Sequence, residues 1–396
     1  MSENKSHIVI LQETAQQHAA KGEYDKAIGL WKKLLSIRED GNIFNTVGDL
    51  YVKRGDHKNA IEYFALAAGK FKKDGSQQKA MALYKKILNI NPVDMNTLIA
   101  LADLYASQGF ENYAIDSFHK VAELHIKNGA AGKALEVYEK MLRLFPFNMH
   151  VKIKLSELYI QLGLRERAAQ GFAVIAANYV ENEDTPKAME FYHKALKTDT
   201  NNISSLVGLS KLSANSNDID KALEYLGRAM TLDPLDQNIV LSYAKLAIKT
   251  KRVDDTTKNA LLKFIESNPG QNMAKQYLGT VYLTEGLTLK AWEELQPCID
   301  ERVVQQDWEE AGELLNHFIE LFPIPVKERL VTIYRAKGDA ENLKAALVEL
   351  ANLHMEEEAP QAALKLFREV HEMAPEDADV VSWIKELEKV VVPAAS

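Results

Sequence analysis

Residues 41–94, 95–148 and 149–202 are three copies of one 54-residue unit that align without a gap. Asp49-Leu50-Tyr51 returns as Asp103-Leu104-Tyr105 and as Glu157-Leu158-Tyr159, and Phe64 returns as Phe118 and Phe172. Gly55, Gly109 and Gly163 coincide, as do Tyr84, Tyr138 and Tyr192. A unit that recurs this faithfully buries its apolar face against its neighbours. The chain therefore grows along one dimension and builds a surface rather than an enclosed pocket.

Each copy reads as three helices. Phe44, Val47, Gly48 and Tyr51 recur at three- and four-residue spacing and share one helical face. Gly55-Asp56 interrupts that face, and Ala60, Phe64 and Ala67 resume it. On this second helix, Asn59 to Lys73, the residues Phe64, Ala67, Ala68 and Phe71 begin the pattern again, and Gly75, Ala80, Tyr84, Ile87 and Pro92 complete it. One long helix thus serves two helical pairs and has to be covered on two sides. The later copies repeat it through Phe118, Val121, Ala122 and His125, and through Phe172, Ile175, Ala176 and Tyr179.

The order of a large residue, a small one, a tyrosine, a glycine turn, then alanine, an aromatic and alanine resembles the tetratricopeptide repeat. The resemblance covers essentially the whole chain and implies an all-α, right-handed α-solenoid of helix-turn-helix repeats. The shared helices and the run Lys79-Ala80 to Ile87-Leu88 are also similar to a bacterial group of such proteins, which implies a scaffold in a cell-surface, pilus or motility system. Leu11, Ala15, Gly22, Ala27 and Trp31 form an opening repeat, and Leu206, Leu209, Ala222, Leu226 and Ala229 an ordinary pair. Shared-helix units return around Leu278 to Leu315 and Leu330 to Phe367, and residues 379–390 read as a capping helix that faces Val380, Trp383, Ile384 and Leu387 inward. The polar run Lys251 to Lys258 divides the chain into an expected array over 1–250, an irregular hinge repeat over 251–269 and a second array over 270–396.

Catalytic and cofactor motifs are missing. His119 and His125 are six residues apart, on different helical faces, so they form no metalloprotease pair. His125 stands where the other copies have Phe71 and Tyr179 and is expected as a packed core residue, as is His354. Glycines come singly, without a phosphate-binding loop, and the single cysteine, Cys298, makes neither an internal disulfide nor a thiolate metal site. No cofactor, no metal site and no enzyme activity is expected. A net charge of −8 lacks the electrostatic footprint of a nucleic-acid binder. The first eleven residues hold only a four-residue apolar run, and no stretch approaches a spanning helix, which leads to the expectation of a cytoplasmic protein with no membrane insertion.

In the tetratricopeptide family the first helix of each repeat lines the concave surface, and its outward residues meet the ligand. The resemblance carries this role onto Asn42, Asn45 and Asp49, onto Asn96, Ile99 and Asp103, and onto His150, Ile153 and Glu157. The recurring acids suggest a carboxylate stripe that a basic or amphipathic protein segment complements, or else acids paired with Lys53, Lys152 and Lys154. Gln12, Gln16, Asn45, Asn96 and Ile99 supply none of the basic residues with which the family's chaperone clamp holds a terminal carboxylate. The expected function is an interaction scaffold. The alternatives are a self-associating component, with Trp31 or Trp308 at a homodimer seam, or a regulatory subunit of a bacterial cell-surface, pilus, motility or secretion assembly.

Overall fold

A computed structural model describes residues 2–391, with side chains from residue 7 onward. Among the described residues there are twenty-two helices and no strand. The last five residues of the expected 270–396 array lie outside them. The chain divides into two compact units, Met1–Ser205 and Leu206–Ser396.

The first unit opens with α1 (Ser2–Ala20) and α2 (Tyr24–Ile37). The three copies follow as α3 (Gly41–Arg54), α4 (His57–Lys73) and α5 (Gln77–Ile90), then α6 (Met95–Ser107), α7 (Glu111–Lys127) and α8 (Ala131–Leu144), then α9 (Met149–Gln161), α10 (Arg165–Glu181) and α11 (Thr185–Thr198). The middle helix of every copy has 17 residues and packs on both helices that flank it. Its central phenylalanine, Phe64, Phe118 or Phe172, is almost wholly buried. The two-sided coverage read from the sequence is therefore present in all three copies.

Local chemistry sets the helix ends. Asp40, Asp56, Asp94, Asn148 and Asp184 each accept a hydrogen bond from a backbone N–H of the first turn they cap. The glycine after each first helix holds a left-handed conformation, with φ of 83° at Gly55, 75° at Gly109 and 74° at Gly163. After the middle helix Gly75 and Gly129 do the same, but the third copy places Glu183 there at φ 60°. A side chain in that region costs about 1–2 kcal/mol, which the surrounding packing has to offset.

The second unit takes up α12 (Ile203–Asn215), whose first residues belong to the first unit, and continues with α13 (Ile219–Leu232), α14 (Gln237–Lys249) and α15 (Asp255–Ser267). Then come α16 (Asn272–Thr284), α17 (Thr288–Gln305), α18 (Trp308–Asn316), α19 (Pro323–Lys337), α20 (Ala340–Glu356), α21 (Pro360–Met373) and α22 (Ala378–Val391). The middle helices α17 and α20 again pack on both neighbours. α18 is shorter than its counterparts because the chain turns after Asn316. Trp292 holds that turn, with its ring centroid 5.0 Å from Phe318 and 5.0 Å from Phe322. The closing helix α22 buries Val380 and Leu387, packs Trp383 and Ile384 against the same core, and covers α21 as a cap should.

Close helix approach depends on Gly48, where an added Cβ would lie 2.6 Å from the buried Phe64 ring. Gly48→Val is expected to lower stability by about 1–3 kcal/mol through overpacking. Glu183→Gly is expected to raise it by up to about 1 kcal/mol by relieving the left-handed backbone. Urea unfolding followed by circular dichroism checks both, and equal midpoints for the two variants would contradict this account of the seams.

Candidate interaction surface

The nine residues expected to meet a partner fall into three equivalent rows on α3, α6 and α9. Asn42, Asn96 and His150 are exposed, and Asn45, Ile99 and Ile153 are half-buried beside Asp49, Asp103 and Glu157. The acids are not a bare stripe. Lys86 Nζ lies 2.7 Å from Asp49, Lys140 Nζ 2.5 Å from Asp103, and Lys194 Nζ 3.5 Å from Glu157. In all three cases the separation is 37 residues, from the third helix of the copy back to its first. Lys86 also donates to Asn45 Oδ1 at 2.9 Å, and Lys154 reaches Glu157 at 3.4 Å. Of Lys53, Lys152 and Lys154, Lys154 alone pairs with its acid among the described residues; the other partners come from across the shared helix.

Each bridging lysine crosses a ring of that shared helix. The ammonium groups of Lys86, Lys140 and Lys194 stand 4.9, 4.8 and 4.4 Å from the centroids of Phe64, Phe118 and Phe172. The aliphatic stem shields the seam while the charged head stays near water. Since all six charged groups are about 40% exposed, each pair contributes under about 1 kcal/mol, with a cation–π term of similar size. The recurrence of Lys86, Lys140 and Lys194 at 54 residues is visible in the sequence, whereas their reach across the shared helix is not.

A cleft of about 360 Å³ opens between α7, α8 and α9, where His119 and Tyr138 face Glu123, Lys154 and Glu157. His119 Nδ1 and the Tyr138 hydroxyl are 2.6 Å apart, and His119 Nε2 is 3.3 Å from Glu123. Burial pushes the Tyr138 phenol well above its ordinary range, so it stays protonated, and the His119 tautomer sets which of the two groups donates. Burial also holds the His119 imidazole below its ordinary value, against the opposing pull of Glu123. His150 meets the His119 ring edge-on at 6.0 Å. Among the described residues no group of three or more His, Cys, Asp or Glu side chains is arranged to hold a metal. His125 and His354 are half-buried rather than packed in the core, whereas Phe71, at the place equivalent to His125, is buried. Cys298 is buried, its thiol donates to the Asn272 carbonyl at 3.2 Å, and burial raises its pKa, all of which suit a packing role.

Residues 42–69, the α3–α4 pair, match the tetratricopeptide repeat family model. The α3–α4 pair is a tetratricopeptide repeat, and its helix pattern recurs in the other two copies. Such repeats generally mediate protein–protein interaction, and their scaffolds are generally non-enzymatic. No curated protein matches the chain. Among solved structures, MamA is similar at 20% identity, over 44% of this chain and 91% of that one, with a TM-score of 0.27. Yeast Tom70 is 16% identical over 98% and 96% of the two chains with a TM-score of 0.27, and a tetratricopeptide repeat protein from Parabacteroides merdae is 15% identical over 69% and 98% with a TM-score of 0.26. None of these three likenesses bears on function. Among the described residues no helix is long and apolar enough to cross a membrane.

The half-buried His119, its imidazole held below its ordinary pKa, makes the packing of α7 on α8 pH-sensitive. Above about pH 6.5 the imidazole is neutral in both the folded and the unfolded chain, and its contribution is complete. As pH falls below that value the unfolded chain takes up the proton first, so stability declines until the folded imidazole titrates as well. His119→Phe is expected to flatten the fall in urea midpoint between about pH 6.5 and pH 5. An unchanged slope would count against this assignment.

Proposed function

We propose that the chain is a non-enzymatic scaffold that holds a segment of a partner protein along the face bearing Asn42, Asn45, Asp49, Asn96, Ile99, Asp103, His150, Ile153 and Glu157. The observation that carries the reading is the threefold recurrence of one half-exposed arrangement, an acid and a lysine on either side of a buried phenylalanine ring. Packing alone requires the ring and not the pair, since half-exposed ion pairs stabilise little. The face offers both signs of charge side by side, so an amphipathic segment with both acidic and basic side chains suits it better than a uniformly basic one. Binding exchanges each internal pair for two external ones and leaves no charge unpaired.

Self-association at a tryptophan seam has less support, because Trp31 is buried and Trp308 half-buried, and neither presents an exposed indole. Service as a regulatory subunit of a bacterial cell-surface, pilus, motility or secretion assembly has no specific observation in its favour.

Affinity capture from the native cell with quantitative mass spectrometry, run on the wild-type chain and on Asp49→Lys/Asp103→Lys/Glu157→Lys, tests the face. The variant is expected to keep its helical circular dichroism and to lose specific partners by about tenfold or more, as disrupted charge complementarity at several points should produce. Equal recovery of the same proteins would remove this face from consideration.

A further inference from the structure

The turn that leads into α7 lacks the side-chain cap found at α4 and α20, as do the turns into α10 and α17, which start on Leu164 and Leu287. The helices α4 and α20 start on Asp56 and Asp339, whose carboxylates accept from the backbone N–H of Asn59 and Asn342. Before α7 the capping position holds Phe110, which makes no side-chain cap bond and so forgoes about 1 kcal/mol. Burial returns little of that, since Phe110 is 47% exposed and Tyr113 is 62% exposed. The Tyr105 ring lies 6.2 Å from Phe110 and 5.3 Å from Tyr113, and Phe110 meets Tyr113 edge-on at 6.5 Å. With Met81, Ala82 and Lys85 of α5 these rings wall a groove of about 330 Å³.

The first copy closes the same place with its own side chains. The guanidinium of Arg54 lies 4.8 Å from the Tyr51 ring centroid and is tied to Asp25 and Asp56. Lys32 stands 5.4 Å from Tyr51 and 5.3 Å from Tyr63. In the second copy Gln108 replaces Arg54, Phe110 replaces Asp56 and Gln78 replaces Asp25, so the cationic lid and both of its carboxylates are gone. Lys85 remains, 5.9 Å from the Tyr105 ring, with no carboxylate partner among the described residues, while its neighbour Lys86 is paired with Asp49. The third copy has Glu139, Leu164 and Arg167 at the positions of Lys85, Phe110 and Tyr113. A feature demanded by packing would recur with the repeat, and this one occurs once.

We propose that this groove docks a short segment of another protein, which inserts a large apolar or aromatic side chain among Met81, Phe110 and Tyr113 and places a carboxylate beside Lys85. The only charge on the groove wall is positive. A basic segment would meet Lys85 without the counter-carboxylates that hold Arg54 in the first copy, whereas an acidic one completes the missing pair. Exposed aromatics of low conformational entropy beside one unpaired charge are the composition of an interface centre. The groove is lined from α5, from Tyr105 of α6 and from Phe110 and Tyr113, and includes none of Asp49, Asp103 and Glu157, so substitutions at Lys85, Phe110 and Tyr113 test it separately from that row.

Selection from a phage-displayed random peptide library on the full chain tests the proposal, with Phe110→Ser/Tyr113→Ser as the counter-target. Enriched peptides are expected to carry Phe, Trp or Leu next to Asp or Glu. A synthetic peptide of that consensus should lose about tenfold or more in affinity, read by fluorescence anisotropy, on Phe110→Ser/Tyr113→Ser and separately on Lys85→Glu. Lys85 is exposed, so Lys85→Glu reports even if the double variant folds poorly. Enrichment of basic peptides, or undiminished affinity in Lys85→Glu, overturns the proposal. So does a concentration-dependent dimer in sedimentation velocity that Phe110→Ser/Tyr113→Ser abolishes, since the occupant would then be a second copy of this chain.

Discussion

Everything else in the first unit depends on a helix that has neighbours on two flanks. α4, α7 and α10 each bury a phenylalanine whose deletion would empty a site walled by three helices, a change that typically costs about 3–5 kcal/mol. Small residues set the approach distance. Ala60, Ala67 and Ala68 are fully buried along α4, and Gly48 admits the edge of the Phe64 ring where a Cβ would not fit. Because the demand is the same in every copy, the seam residues recur at a fixed period and the helices keep their lengths.

This constraint also makes the surface periodic. Fixing the middle helix fixes the gap between its two flanking helices, and a lysine on the third helix then has one reach across the phenylalanine ring to the acid on the first. The 37-residue separation of the three cross-helix pairs follows from the seam rather than from any gain in stability by the pairs themselves. A partner segment laid along this face would meet the same groups at regular intervals without the scaffold having to rearrange.

The helices, their pairing and the shared helix were legible in the sequence because apolar periodicity and turn glycines report packing directly. The capping helix was legible for the same reason: Val380, Ile384 and Leu387 recur at four- and three-residue spacing on one face. Side-chain partners across helices were not. Asp49 reads as free or paired with Lys53 when helical neighbours are the only candidates, and its partner Lys86 becomes visible only once α3 and α5 are placed on either side of α4. His125 shows the opposite error, since it aligns with the buried Phe71 and yet is only half-buried. The turn after Asn316 is not legible in the sequence, because Trp292, which stacks on Phe322, is remote from it in the chain.

In a repeat array, departures from the period carry more information than the period itself. Glu183 in place of a turn glycine is such a departure, and it spends stability without an evident return. Phe110 in place of a capping aspartate is another: the third copy also lacks the cap and the Arg54-type lid, with Leu164 and Leu162 in those places, but only the second copy sets two exposed aromatics, Phe110 and Tyr113, beside the unpaired Lys85. Independent drift would scatter such substitutions over the copy. Their convergence on one groove is what selection for a ligand, acting on a fold that otherwise has only to stack, would leave behind.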